Sequence, residues 1–124
     1  MGKEKIIKNK EEIVGLITRV GYKKTRAKII TYFIFNEEGT SSQIEKEMNM
    51  SQPQVSESAR EIIKKELLEV VSDKDGKGRP KNVYRRPYGI RADTIISSLE
   101  IELLIQKDNI KRRMSALRKI AKDI

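Results

Sequence analysis

Apolar residues recur along this chain at two spacings, and the changes between them mark out its elements. From Glu11 to Val20 they fall at 13, 14, 16, 17 and 20, the rhythm of one helix face, which can be followed back to about Ile6. Gly21 interrupts it. A second helix is expected from Lys23 to Asn36, where Ala27, Ile30 and Ile34 together with Tyr32, Phe33 and Phe35 make an unusually broad apolar face. A helix apolar over so much of its girth belongs at the centre of a core. Glu37-Glu38-Gly39 ends it, with Gly39 in the position of a C-cap. Thr40 or Ser41 then caps a short helix to Met48, whose Ile44 and Met48 stand one turn apart on the inward side. Asn49-Met50 makes a tight turn. Ser51 is the N-cap of the next helix, and Pro53 sits in its first turn, where a missing N–H costs nothing. Val55, Ala59, Ile62, Ile63 and Leu67 mark its buried side, and it ends near Glu66.

Beyond Glu66 the spacing shortens. Leu68 to Ser72 is apolar and β-branched, Asp73 to Lys81 is dense in turn formers, and Asn82 to Arg86 returns as a strand with Val83 and Tyr84 at its middle. Together they predict a β-hairpin with a long basic tip. Pro87 and Gly89 break the chain before Asp93, which caps a final helix reaching about Asp123. Leu99, Leu103, Gln106, Ile110, Arg113, Leu117, Ile120 and Ile124 then follow alternating steps of four and three, a heptad seam with two polar positions. A helix of ~30 residues is ~45 Å long, more than a body of this size can cover. The seam is therefore expected to pair with a second copy of the chain, Gln106 and Arg113 fixing the register. Spacing alone leaves parallel and antiparallel order open.

The expected fold is mainly α with a small β-hairpin: an N-terminal helix over 1–20, a winged helix-turn-helix domain over 21–90, and a long C-terminal dimerisation helix, a coiled coil, over 91–124. Helix, helix, short helix, tight turn, helix and hairpin is the order in which the helix after the turn enters the DNA major groove and the hairpin touches the neighbouring backbone or minor groove.

Charge strengthens that reading. The 124 residues hold 27 Lys and Arg against 18 Asp and Glu, a net +9, which is unevenly spread. Residues 1–10 carry +3, and residues 11–72 carry nine bases against ten acids. Residues 73–91 carry seven bases (Lys74, Lys77, Arg79, Lys81, Arg85, Arg86, Arg91) against two acids, net +5. Residues 92–105 have three acids and no base, and residues 106–124 have seven bases and two acids. A near-neutral body with two basic concentrations suits phosphate rather than general solubility. Cysteine and histidine are both absent, which removes disulfides, thiol and imidazole chemistry and the usual zinc ligands. No metal or other cofactor is expected. The carboxylate clusters, Glu37-Glu38 and Glu45 with Glu47, come without any pocket-forming motif, so no enzyme is expected either. The start lacks a secretory apolar region, and the longest apolar stretch, Ile29 to Phe35, falls far short of the ~18 residues needed to span a bilayer. A soluble, cytoplasmic, nucleoid-associated protein is expected.

Helix geometry then names the residues that face DNA. With Val55, Ala59 and Ile62 as the core stripe, the opposite side of the helix carries Pro53, Glu57, Arg60 and Lys64, flanked by Gln54, Ser56 and Glu61. The first turn, Ser51 to Gln54, offers free N–H groups to the groove or to a phosphate. Arg60 has the bidentate geometry for guanine, Gln52 or Gln54 that for adenine, and Glu57 accepts from a cytosine amine. In the hairpin, Lys77, Arg79 and Lys81 form the basic tip. Gly78-Arg79-Pro80 resembles the core of an AT-hook, whose Arg lies in a narrow minor groove. The dimerisation contacts are expected from Leu99, Leu103, Ile110, Leu117, Ile120 and Ile124.

The run Asn49-Met50-Ser51-Gln52-Pro53-Gln54-Val55-Ser56 resembles the turn and recognition-helix start of ArsR- and MarR-type regulators. Gly21-Tyr22-Lys23-Lys24-Thr25-Arg26-Ala27-Lys28-Ile29 is similar to the opening of TrmB-like archaeal winged-helix domains. Gly78-Arg79-Pro80-Lys81 followed by Val83-Tyr84 resembles the wing of archaeal winged-helix regulators. The likeness covers residues 21–87 and reaches the superfamily. It implies a sequence-specific, homodimeric transcriptional regulator of archaeal type that binds double-stranded DNA. ArsR metal sensing does not carry over, because its Cys and His ligands are missing here, and the chain has no room for a TrmB sugar-binding domain. The alternative is an architectural chromatin protein that binds duplex DNA without sequence choice. RRM and KH signatures for RNA are lacking. Nothing in the sequence identifies a small-molecule effector.

Overall fold

The computed structural model describes residues 3–73 and 81–124. Its elements are α1 (Lys3–Arg19), α2 (Lys24–Phe35), β1 (Glu38–Thr40), α3 (Ser41–Met48), α4 (Gln52–Lys64), β2 (Glu69–Asp73), β3 (Lys81–Arg85) and α5 (Ala92–Asp123). The first helix lies within the expected 1–20 and starts ahead of the apolar rhythm that reaches back to about Ile6. Gly21, at φ 113°, follows its end in the left-handed region, and the Gly21 N–H donates to the Thr18 carbonyl.

α2 is the hub. Ala27, Ile29, Ile30, Thr31, Tyr32 and Phe33 are all buried, which explains an apolar face too broad for a surface helix. Around it the core is closed by Val14 and Ile17 of α1, Ile44 and Met48 of α3, Val55, Ala59 and Ile62 of α4, Tyr84 of β3 and Ile95 of α5. The buried Thr31 hydroxyl donates to the Ala27 carbonyl at 2.7 Å, so its burial leaves no unpaired polar group.

Two expected caps are corrected. Asn36, rather than Gly39, ends α2: its backbone N–H and its side-chain amide both donate to the Tyr32 carbonyl at 2.9 Å. Gly39 lies instead in β1, pressed against Tyr32, where a Cβ would come within 2.7 Å of the ring carbon bearing the hydroxyl. Glycine there permits the close approach of strand to helix. At α5 the N-cap is Arg91, not Asp93. The Thr94 hydroxyl accepts the Arg91 N–H at 3.1 Å, and Asp93 sits in the first turn, paired with the Arg91 guanidinium at 2.9 Å. That pairing holds the Asp93 carboxyl below the usual carboxylate range.

The expected hairpin is β2 and β3, and it is part of a larger sheet. The strands run in the order β1-β3-β2, all antiparallel, with Gly39 opposite Tyr84 and Tyr84 opposite Val70. The three-residue edge strand β1 is too short to show any alternation, so the sequence pattern gave no sign of it. The Arg86 N–H extends its pairing by donating to the Glu37 carbonyl at 2.9 Å.

α5 joins the body only through its first turns. Ile95 is buried and Leu99 packs against the core, whereas residues 104–124 are all exposed and extend over ~30 Å. Glu102 fastens the junction, taking a hydrogen bond from the Tyr22 hydroxyl and pairing with Lys65. The arrangement is a winged helix-turn-helix with a small three-stranded sheet and a long C-terminal helix. Among the described residues, no helix is long and apolar enough to cross a membrane.

Candidate nucleic-acid interface

The turn between α3 and α4 is fixed at each residue. Asn49 closes α3 in the left-handed region at φ 53°, and the Met50 N–H donates back to the Glu45 carbonyl at 2.9 Å while its side chain is buried. From α2, the Lys28 ammonium donates to the Asn49 carbonyl at 3.2 Å. Lys28 lies in the TrmB-like stretch, which assigns it no role, yet it ties the hub helix to the turn that aims α4. Such a role is visible only once α2 and the turn are brought together.

α4 opens on a reciprocal cap. The Ser51 hydroxyl accepts the Gln54 N–H at 3.3 Å, and the Gln54 side-chain oxygen accepts the Ser51 N–H at 3.0 Å. Thr40 and Gln43 make the same box at α3. The cap expected at Ser51 is in place, and of the two candidates Thr40 and Ser41 it is Thr40 that caps α3. Gln54, however, spends its acceptor oxygen on its own helix.

Burial along α4 follows the helical wheel. Val55, Ser58, Ala59 and Ile62 are buried, Ser56 is half-buried, and Ser51, Gln52, Pro53, Gln54, Glu57, Arg60 and Lys64 are exposed. Pro53, Glu57, Arg60 and Lys64 therefore form one outward strip. Lys64 lies 3.7 Å from Glu61, which also lies 3.8 Å from Arg26 of α2. Neither Glu57 nor Arg60 takes part in an ion pair among the described residues, so the Arg60 guanidinium keeps its full donor set for an outside acceptor.

β2 and β3 pair from Glu69 with Arg85 to Asp73 with Lys81, so Lys81 opens the returning strand. Lys77 and Arg79, in the segment that joins the strands, lie outside the described residues. Two of the seven bases counted at 73–91 are offset by acids outside that segment: Arg85 by Glu69 at 2.6 Å and Arg91 by Asp93. The field of this region is thus weaker at its base than the sequence count suggests.

The α5 seam divides in two. Leu99 serves the chain's own core and Leu103 is half-buried, whereas Ile110, Leu117, Ile120 and Ile124 are exposed. Ile96, which the seam did not include, is exposed on the same side of the helix. Ile101, Leu104 and Ile105 form a second exposed apolar group on the opposite side. An open cleft of about 1030 Å³ lies between α1, the start of α2 and the end of α3, floored by Val14 and Met48 and rimmed by Arg19, Lys24 and Lys28. No spacing in the sequence marked it, because its walls come from three separate elements.

No protein-family model matches the chain, and no curated protein matches it. Solved structures do. The crystal structure of NadR in complex with 4-hydroxyphenylacetate is similar over 98% of this chain and 89% of that one, at 10% identity and a TM-score of 0.52. A MarR-family transcriptional regulator from Silicibacter pomeroyi is similar over 91% of this chain and 77% of its own, at 13% identity and a TM-score of 0.51. At these identities the likeness is one of fold.

Proposed function

We propose that this protein is a sequence-specific DNA-binding transcriptional regulator that acts as a homodimer. The observation that carries the reading is the outward strip of α4. It follows a rigid turn, starts from a capped N-terminus, and presents an uncommitted Arg60 beside Glu57 and Lys64. Arg60 reads guanine, and Glu57 accepts from a cytosine amine. Because Gln54 closes the capping box with its oxygen, Gln52 is the better adenine reader. Ser51 and Ser56 contact the backbone at the helix N-terminus, where the free N–H groups favour phosphate. Lys64 holds a phosphate further along, and the wing, through Lys77, Arg79 and Lys81, grips the adjacent minor groove or backbone.

In this reading residues 21–90 form the DNA-binding domain and residues 91–124 the dimerisation element. The exposed Ile110, Leu117, Ile120 and Ile124 supply the contact between copies, and the N-terminal helix packs on α2. The protein needs neither a cofactor nor catalytic residues for this role, and it works in the cytoplasm on the nucleoid. Its fold is shared with a MarR-family transcriptional regulator, which accords with the reading.

In vitro selection from random duplexes tests it. The expected result is an enriched inverted repeat, with half-sites near a multiple of ten base pairs apart and a preference over bulk DNA of roughly 10³ or more at physiological salt. Uniform recovery of all sequences would replace the regulator with an architectural DNA-binding protein.

A further inference from the structure

One stripe of α5 is apolar from end to end and has no partner in its own chain over most of its length. Ile96, Leu103, Ile110, Leu117 and Ile124 are spaced seven residues apart, and all but the half-buried Leu103 are at least half exposed. The body of the molecule packs beside this stripe, taking Ile95 and Leu99, and leaves Ile96 open. The free stripe therefore runs the whole length of the helix and does not begin where the helix leaves the body.

Charge along the same helix is segregated. Residues 92–105 contain Asp93, Glu100 and Glu102 and no base, net −3. Residues 106–124 contain seven bases and two acids, net +5. We propose that α5 pairs antiparallel with α5 of a second copy, centred near Ile110, so that the basic half of each helix lies along the acidic half of the other. This inference rests on the dimer reading above and adds its geometry.

A two-fold contact is self-complementary: whatever one half of the helix meets on the partner, the other half meets in return. With the centre at Ile110, Ile96 faces Ile124 of the partner subunit and Leu103 faces Leu117 of the partner subunit. Glu100 and Arg118 border the stripe on the same side, about 80° from its centre line at 100° per residue, which sets each Glu100 near Arg118 of the partner subunit. Parallel pairing on the same stripe buries the same apolar residues but lays +5 along +5 and −3 along −3, the arrangement in which close like charges cost most. The hydrophobic gain is equal in the two orders, so charge decides between them.

The chain has no cysteine, so engineered thiols report on the order directly. Leu103→Cys and Leu117→Cys are prepared separately, then mixed under exchange and oxidised. The expected result is a covalent dimer from the mixture and none from either variant alone. In the antiparallel pair like positions stand ~21 Å apart along the axis, far beyond disulfide reach. Covalent dimers from Leu117→Cys alone would mean parallel pairing and overturn the proposal. So would a mixture that forms no link while sedimentation of the wild type shows a dimer, since the pairing would then be elsewhere. A wild-type monomer at tens of micromolar would overturn the dimer reading itself. A second measurement needs no substitution in the stripe. Raising salt from ~0.05 M to ~0.5 M should weaken the wild-type dimer several-fold, because attraction between opposite charges is screened. Tightening with salt would contradict the antiparallel order. Glu100→Lys should weaken the dimer at low salt only.

Discussion

The Glu102 carboxylate accepts the hydroxyl hydrogen of Tyr22, which precedes it by 80 residues, and so fastens α5 to the segment leading into α2. Lys65, just past α4, pairs with the same carboxylate and stacks its ammonium over the Tyr22 ring. One acidic side chain thereby joins three parts of the chain at the point where the long helix leaves the body. Burial works against the Glu102 carboxylate, but the hydrogen bonds from Lys65 and Tyr22 outweigh it and hold the carboxyl below its usual range. Burial first, and then the hydrogen bond to Glu102, push the Tyr22 phenol well up.

A carboxyl depressed in the folded state stabilises the fold above its unfolded pKa of ~4.3, and that contribution is lost as pH falls through the lower folded value. Wild-type stability, followed by urea unfolding, should therefore drop below about pH 4.5 more steeply than that of Glu102→Gln. Tyr22→Phe should cost about 1 kcal/mol at neutral pH. Parallel acid profiles for wild type and Glu102→Gln would show that this carboxylate does not anchor α5.

Gly39→Ala should destabilise the protein by roughly 1–3 kcal/mol, because the new methyl meets the Tyr32 ring where the strand crosses α2. Pairing it with Tyr32→Leu should give a smaller loss than the sum of the two single changes, since one removes the obstacle met by the other. Additive losses in denaturant unfolding would show that the two residues do not press on each other.

Ser51→Ala and Gln54→Ala remove the two halves of one cap and should each lower stability, the first by about 1 kcal/mol. Their double variant should lose less than the sum. Gln52→Ala, exposed and outside the box, should leave the unfolding midpoint unchanged while weakening binding to the selected site. Equal stability losses for Gln52→Ala and Gln54→Ala would undo the division of labour between them.

Lys77→Ala with Arg79→Ala should weaken binding to every duplex alike and flatten the slope of log K against log salt by about 1–2. An unchanged slope in filter-binding titrations would take the wing off the DNA.

Local rules carried much of this structure, and the exceptions share a cause. Thr40 and Ser51 were legible as caps because a cap is decided within four residues, and the burial of Val55, Ala59 and Ile62 because a wheel is decided within three turns. β1 was not legible: Glu38-Gly39-Thr40 becomes a strand only through its register with β3, more than forty residues on. Gly39 reads as a helix end for the same reason, since nothing nearby in the sequence shows Tyr32 closing over it. Leu99 looked like any other seam position because periodicity does not say which partner a stripe meets. The second duty of Gln54 was hidden behind its suitability for adenine.

Base reading by α4 through Arg60 stands or falls on a single comparison. Wild type and Arg60→Ala are titrated against the selected site, against the same site changed at one base pair at a time, and against unrelated duplex. Arg60 is exposed and pairs with no acid among the described residues, so the variant should fold with undiminished stability. The expected result is a loss of about 1–3 kcal/mol on the selected site, no loss on unrelated duplex beyond one charge's share, and relaxed choice at one base pair in each half-site. An equal loss on every duplex, with discrimination intact at all positions, would make Arg60 a phosphate clamp and contradict base reading by this helix face.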